Sequence, residues 1–217
     1  MVLHRIVCVT AFASVAVGDT GGWVESDKNL SQSGNAWVSG NAKVYGNAKV
    51  SGNAEVYGNA KVYGNAWVSG NAKVSGNAKV SGNAEVYGNA MVYGKAWVYG
   101  NAMVYGNAWV SGDAMVYGNA KVYGKAWVYG NAWVSGNAWV SGNAKVSKSS
   151  DYAVYKNTWS SMRCFTWTRS NDKWNVGCFY GTGEELIKKA YEDSKLSGDC
   201  YKAVVDMRNK ITELESA

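Results

Sequence analysis

The chain has one imidazole, that of His4. Proton transfer near neutral pH falls most readily to histidine. A lone one, four residues from the start, disfavours any reaction that needs two, or one in each of many repeated units. Cys8, Cys164, Cys178 and Cys200 lack the Cys-x-x-Cys spacing of metal and redox sites. Each reads as a buried thiol in a reducing compartment. Cys164 and Cys178 fall on adjacent expected strands, so a pairing between them stays open. No Gly-rich phosphate loop opens a helix and no acidic cluster has ligand spacing, so no metal and no cofactor is expected. Two other populations recur at fixed spacing. Lys43, Lys49, Lys61, Lys73 and Lys79 would suit an anion. Met91, Trp97, Met103, Trp109, Met115, Trp127, Trp133 and Trp139 would suit an interface.

The elements that position these side chains follow from the repeat. From Gly34 to Ser147 the motif G-N-A-x-V-[S/Y] runs without a gap, in nineteen copies. Within a copy such as Ala36-Trp37-Val38-Ser39, small and apolar residues alternate with variable and polar ones. A period of two means a short strand with Ala and Val on one face. The variable residue and the Ser or Tyr share the other face. Gly-Asn is the corner, since both residues tolerate positive φ. Strand, corner and strand again, with no helix signal, describe a polygonal coil. A fixed short period of this kind determines the architecture.

The motif V-x-G-N-A-x resembles the hexapeptide repeat of left-handed parallel β-helices. The segments Leu3-His4-Arg5-Ile6 and Gly18-Asp19-Thr20-Gly21-Gly22-Trp23-Val24-Glu25 add a likeness to a group of bacterial and phage hexapeptide-repeat proteins, some loosely called transferases. The resemblance implies a left hand, three hexapeptides per triangular coil, and about six coils. Residues 18 apart then stack. Columns of Val (Val38, Val56, Val74) and Ala (Ala36, Ala54, Ala72) fill the interior, and Asn35, Asn53 and Asn71 form a ladder of amides. Such a core leaves no interior pocket, so function belongs to the outer walls or the ends.

The same resemblance brings an enzymatic alternative. Many relatives of this kind are acyltransferases that use a histidine base on a coil at a subunit seam. No copy from Gly34 to Ser147 contains His, and no loop interrupts the copies. An acyltransferase-like enzyme, active or degenerate, is therefore the alternative reading and not the leading one. Ice binding is disfavoured because residues 34–147 lack Thr.

At 18-residue spacing, Met91, Trp109 and Trp127 form one outer column. Trp97, Met115 and Trp133 form a second, and Met103, Lys121 and Trp139 a third. Lys95 and Lys125 interrupt the Asn ladder, and Asp113 lies one coil from Lys95. The late coils are thus apolar outside, which points to a protein partner or to self-association, with a homotrimer among the options. The competing readings are cross-strand stacking that only stabilises the walls, or stacking of bases and sugars. Net charge is +6, and all of the excess lies in residues 34–147, where nine Lys face three acids. That is modest, and nucleic acid or another anion is a secondary expectation. No apolar run is long enough to span a membrane.

Residues 1–33 read as a cap leading into the first coils. Phe12, Val24 and Leu30 lie at multiples of six from one another, as coil residues do. The competing reading of residues 1–18 is a secretory signal. The cap is favoured, and with it a cytoplasmic protein. Residues 148–217 read as a small α+β module. Strands are expected at Tyr152–Trp159, Cys164–Thr168 and Trp174–Tyr180. One helix opens at Gly181–Glu185 with a Thr182/Glu185 capping box. A second starts near Asp199 and puts Val204, Ile211 and Leu214 on one side. The module reads either as a cap on the solenoid end or as a recognition surface. The second reading rests on an aromatic-basic face of Trp159, Arg163, Trp167, Arg169, Lys173 and Trp174.

Overall fold

The computed structural model describes residues 1–215. The six-residue period winds into a parallel β-solenoid with three walls, each carrying seven parallel strands. Pairing follows the 18-residue step: Lys61 lies beside Lys79 and Val62 beside Val80 on the first wall. Lys49 pairs with Trp67 on the second, and Glu55 with Lys73 on the third. From Ala42 and Val44 to Ala144 and Val146, every inward Ala and Val of the repeat is fully buried. The strands proper are only two residues long, as at Lys61–Val62 and Trp67–Val68.

The corners explain the Gly-Asn pair. Gly70 has φ +67°, and a Cβ there would lie 2.9 Å from the backbone nitrogen of Gly88 in the next coil. Only glycine fits a left-handed turn stacked this closely. The Asn beside it carries the ladder. Asn35, Asn53, Asn71 and Asn89 each donate to the next at 3.0–3.1 Å, and Asn107 accepts the last bond. A second ladder runs from Asn47 to Asn137. At the third corner Lys95 meets Asp113 at 4.0 Å. Both are exposed, so the pair contributes little.

The solenoid has seven coils rather than the six expected, because it starts before the repeat does. Thr20–Val24 already pairs in parallel with Lys43–Val44. Leu30–Gly34 pairs with Lys49–Gly52. Val24 and Leu30 join the core. Phe12 does not: its ring meets Trp37 edge-on at 5.7 Å. A 3-10 turn at Asp27–Asn29 makes one corner. Two extra residues between Leu30 and Gly34, where the register against the next coil shifts, lengthen this first coil and hide it from a strict period. Outside it, His4–Val7 adds one antiparallel strand to the first wall.

Hydrogen bonds between coils have a direction. The N–H groups of one coil donate to carbonyls of the next, as from Lys61 to Ala78 and from Tyr63 to Val80. The last coil therefore ends on N–H groups without a further coil to accept them. The C-terminal module supplies the acceptors. It comprises a 3-10 turn at Ser149–Asp151, strands Tyr152–Lys156, Cys164–Thr168, Lys173–Val176 and Phe179–Gly181, and helices α1 (Gly183–Asp193) and α2 (Lys195–Leu214).

Four strands stand where three were expected. Gly177, with φ +59°, folds the third into a hairpin. The Thr182/Glu185 capping box forms as read, at 2.7 and 3.2 Å. Helix α2 starts four residues earlier than expected, capped by Ser194. It buries Tyr201, Val205 and Arg208, while Leu214 is exposed. The expected stripe was therefore rotated, because an arginine over Trp167 occupies a core position.

Candidate functional site

The three outer walls differ in what they carry. The first wall reads Trp23, Lys43, Lys61, Lys79, Trp97, Met115 and Trp133, strand by strand. The second reads Lys49, Trp67, Glu85, Met103, Lys121 and Trp139. The third reads Trp37, Glu55, Lys73, Met91, Trp109, Trp127 and Lys145. The eight candidate interface residues thus fall into three columns on three walls. The five early lysines separate: Lys43, Lys61 and Lys79 are consecutive on the first wall. Lys49 is on the second. Lys73 is on the third, 3.1 Å from Glu55.

The aromatics are not equally available. Trp109 is 42% exposed and Trp133 52%. Trp97 is half-buried: its indole N–H donates to Ser81 at 3.0 Å, its ring lies 4.5 Å from Tyr99, and the Lys79 ammonium sits 5.3 Å from it. Trp127 repeats the device one wall away, with Ser111 at 3.0 Å and Tyr129 at 4.6 Å. An indole two positions along the strand from a tyrosine reaches diagonally to the serine of the coil below, which lays it flat on the wall. Trp139 lies under Lys121 at 4.7 Å. Met91, Met103 and Met115 are half-buried, and Met115 lies between Trp97 and Trp133.

Tyrosines stack beside the indoles. Tyr87, Tyr105 and Tyr123 form a ladder at 4.9 and 5.0 Å with nearly parallel rings. Tyr99 stacks on Tyr117, and Tyr45 on Tyr63. Burial, then the flanking Tyr123 and Tyr87, pushes the Tyr105 phenol up to about 12. The 18-residue spacing of Tyr87, Tyr105 and Tyr123 is legible in the sequence.

The aromatic-basic face assigned to the C-terminal module does not exist. Trp167 is 2% and Trp174 1% exposed. They pair across adjacent strands and pack with Phe165, Leu186, Tyr201 and Val205 against the helices. The Trp167 ring lies under the Arg208 guanidinium at 4.5 Å, and its N–H donates to Asp172 at 2.7 Å. Arg169 and Arg208 both bond Glu215. Lys173 lies 4.0 Å from Glu185, and Trp159 stacks edge-on against Tyr201 at 5.1 Å. Of the six, Arg163 alone is fully outside. The reason is layering, since the sheet lies between solenoid and helices and buries both faces.

The sheet's other face closes the last coil. Thr166 Oγ1 accepts from the N–H of Trp139 at 2.9 Å, and Ser170 Oγ from Lys145 at 2.6 Å. Ser149 Oγ accepts from Trp133 at 3.3 Å. The Tyr152 hydroxyl accepts from Ser135 at 3.2 Å and donates to the Trp133 carbonyl at 3.0 Å. Buried Asn175 donates to Ser141 and Tyr123. Asp151 takes the N–H of Ser147 at 2.8 Å, the Ser147 hydroxyl at 2.7 Å and the N–H of Lys148 at 3.1 Å. Burial pushes the Asp151 carboxyl up. The Ser147 and Lys148 bonds and the Lys148 charge outweigh it, so the group stays below the usual carboxylate range.

At the opposite end a cleft of about 510 Å³ lies between residues 6–12 and the underside of the first coil, with Val24, Leu30 and Ala36 among its lining. His4 is exposed on the edge strand. All four cysteines are free: Cys164 lies opposite Lys156, and Cys178 sits in the turn before Phe179. Among the described residues no three His, Cys, Asp or Glu gather as metal ligands, and no helix is long and apolar enough to cross a membrane.

A comparison with curated proteins gives no match. Four segments, residues 54–70, 84–99, 96–112 and 126–142, match the family model described as the YdcK beta solenoid repeat. Each is about one coil long, and together they span less than half of the chain. The walls that carry the lysine and tryptophan columns are therefore similar to the coils of that repeat.

Proposed function

We propose that the chain is a non-catalytic solenoid that makes protein–protein contacts sideways, with a second copy of itself as the first partner to test. The carrying observation is the outward row of Met91, Trp109 and Trp127 beside that of Trp97, Met115 and Trp133 on the neighbouring wall. Of these six, Trp109 and Trp133 stand furthest into solvent. Exposed apolar surface of this extent marks interfaces. The capped last coil supports the direction, because the N–H groups of Trp133, Ser135, Trp139, Lys145 and Ser147 already have acceptors and do not recruit strands. The sole histidine, lying outside the repeats, supports a binding role over an acyl-transfer one. The reading includes a cytoplasmic setting, which the four unpaired cysteines support.

Sedimentation equilibrium tests it. The wild-type chain should exceed monomer mass at micromolar concentration, and Trp109→Ser with Trp133→Ser should return it to monomer with its melting temperature unchanged. A wild-type monomer throughout, or a double variant of unaltered mass, contradicts the reading.

A further inference from the structure

The first wall carries a row of cations that the docking surface does not use. Strand by strand, starting from the edge, it reads Arg5, Trp23, Lys43, Lys61 and Lys79, and then Trp97. Four cations thus lie in one line over a run of about 19 Å, at a strand spacing of ~4.8 Å. The Arg5 guanidinium lies 5.5 Å from the Trp23 ring and the Lys79 ammonium 5.3 Å from Trp97. An indole therefore sits inside the row and another closes it.

Like charges directly opposite on adjacent strands are unfavourable. The third wall relieves this by placing Glu55 against Lys73 at 3.1 Å. The second wall separates Lys49 from Lys121 by Trp67, Glu85 and Met103. The first wall does neither. Glu25, on a flanking position, accepts the N–H of Gly46 at 2.6 Å. Among the described residues no ion pair holds Lys43, Lys61 or Lys79. The stacked Tyr45 and Tyr63 run alongside.

We infer that this row binds single-stranded nucleic acid. A straight line of cations tracks one flexible phosphate backbone, and interleaved indoles offer flat faces on which unpaired bases stack. A rigid wall holds the charges in place before the ligand arrives, so little ordering is lost on binding. The cations lie in the early coils and the site shares only Trp97 with the proposed sideways contact, so variants at Lys43, Lys61 and Lys79 test it apart from that contact.

The test is fluorescence polarisation with a labelled oligothymidine of about 15 nucleotides, using the whole chain. The unmodified protein should bind, and log affinity should fall with log salt at a slope of about 2–3, as three or four displaced counterions require. Lys43→Gln, Lys61→Gln and Lys79→Gln together should weaken binding at least tenfold at low salt. Lys49→Gln with Lys73→Gln, on the other walls, should change it less than about twofold. Circular dichroism confirms that both variants remain folded, and the salt slope of the unmodified chain tests the row without any substitution. No binding, or equal losses in both variants, overturns the inference. So does displacement of the oligonucleotide by polyglutamate as effectively as by unlabelled oligonucleotide, which would make the row a site for an acidic protein.

Discussion

Asn29 in the first coil and Asp151 beyond the last occupy matching 3-10 turns, yet they differ in what they must do. The Asn29 side chain accepts from the N–H groups of Glu25 and Ser26 and donates to the carbonyls of Gly46 at 2.9 Å and Ala48 at 2.8 Å. It stands in for backbone donors that the turn diverts, and for that it needs an amide. Asp151 meets only donors, from Ser147 and Lys148, and for that a carboxylate suffices. The residue types follow from the direction of the inter-coil hydrogen bonds. The comparison extends to the covering layers. The C-terminal end has a sheet and two helices over it. The N-terminal end has one antiparallel strand and a cleft.

Exchanging the two residue types breaks the comparison most sharply. Asn29→Asp places a fully buried carboxylate against two carbonyl oxygens and should cost roughly 3–5 kcal/mol. The loss should shrink in acid, where a protonated carboxyl can donate again. Asp151→Asn keeps an accepting oxygen and should cost about 1 kcal/mol near neutrality. Denaturant unfolding of both variants measures the difference, and equal costs would refute the polarity argument. The Asp151 carboxyl is held below its unfolded value, so its contribution is present above that unfolded value and fades as pH falls through the lower, folded one. The gap between wild type and Asp151→Asn should therefore narrow in acid.

Thr166→Val is a smaller probe of the same end. It keeps the shape of a buried side chain but leaves the N–H of Trp139 without an acceptor, at a cost of about 1–3 kcal/mol. A stability equal to wild type would show that the sheet merely touches the last coil. The smallest expected effect is alkaline and concerns the walls. The Tyr105 phenol is raised to about 12, so the stability it lends is whole below pH 10 and is lost as pH rises towards 12. Tyr105→Phe should remove part of that loss, read as a shallower decline of the melting temperature over this range.

Legibility in the sequence tracked regularity. Where one side chain repeats every 18 residues, its neighbours could be named in advance. The Asn ladders, the Lys95–Asp113 pair and the three outer columns all stand as read. The first coil was hidden because Gly21-Gly22-Trp23-Val24 lacks the Asn corner and two extra residues between Leu30 and Gly34 lengthen the coil. The fate of Trp167 and Trp174 was hidden for a different reason. Strand alternation puts Phe165 and Trp167 on one face and Thr166 and Thr168 on the other, but it does not say that both faces are covered. Thr166 and Asn175 face each other across the strands and supply the contact to the solenoid. Read singly, they look like ordinary polar residues of a hairpin.

Amide hydrogen exchange, read residue by residue by NMR, weighs the two ends directly. Slow exchange at Trp139 and Lys145, matching the middle coils, together with fast exchange in the edge strand His4–Val7, is the pattern that one closed end and one lightly covered end require. Fast exchange at Trp139 and Lys145, as at any frayed strand edge, would contradict it.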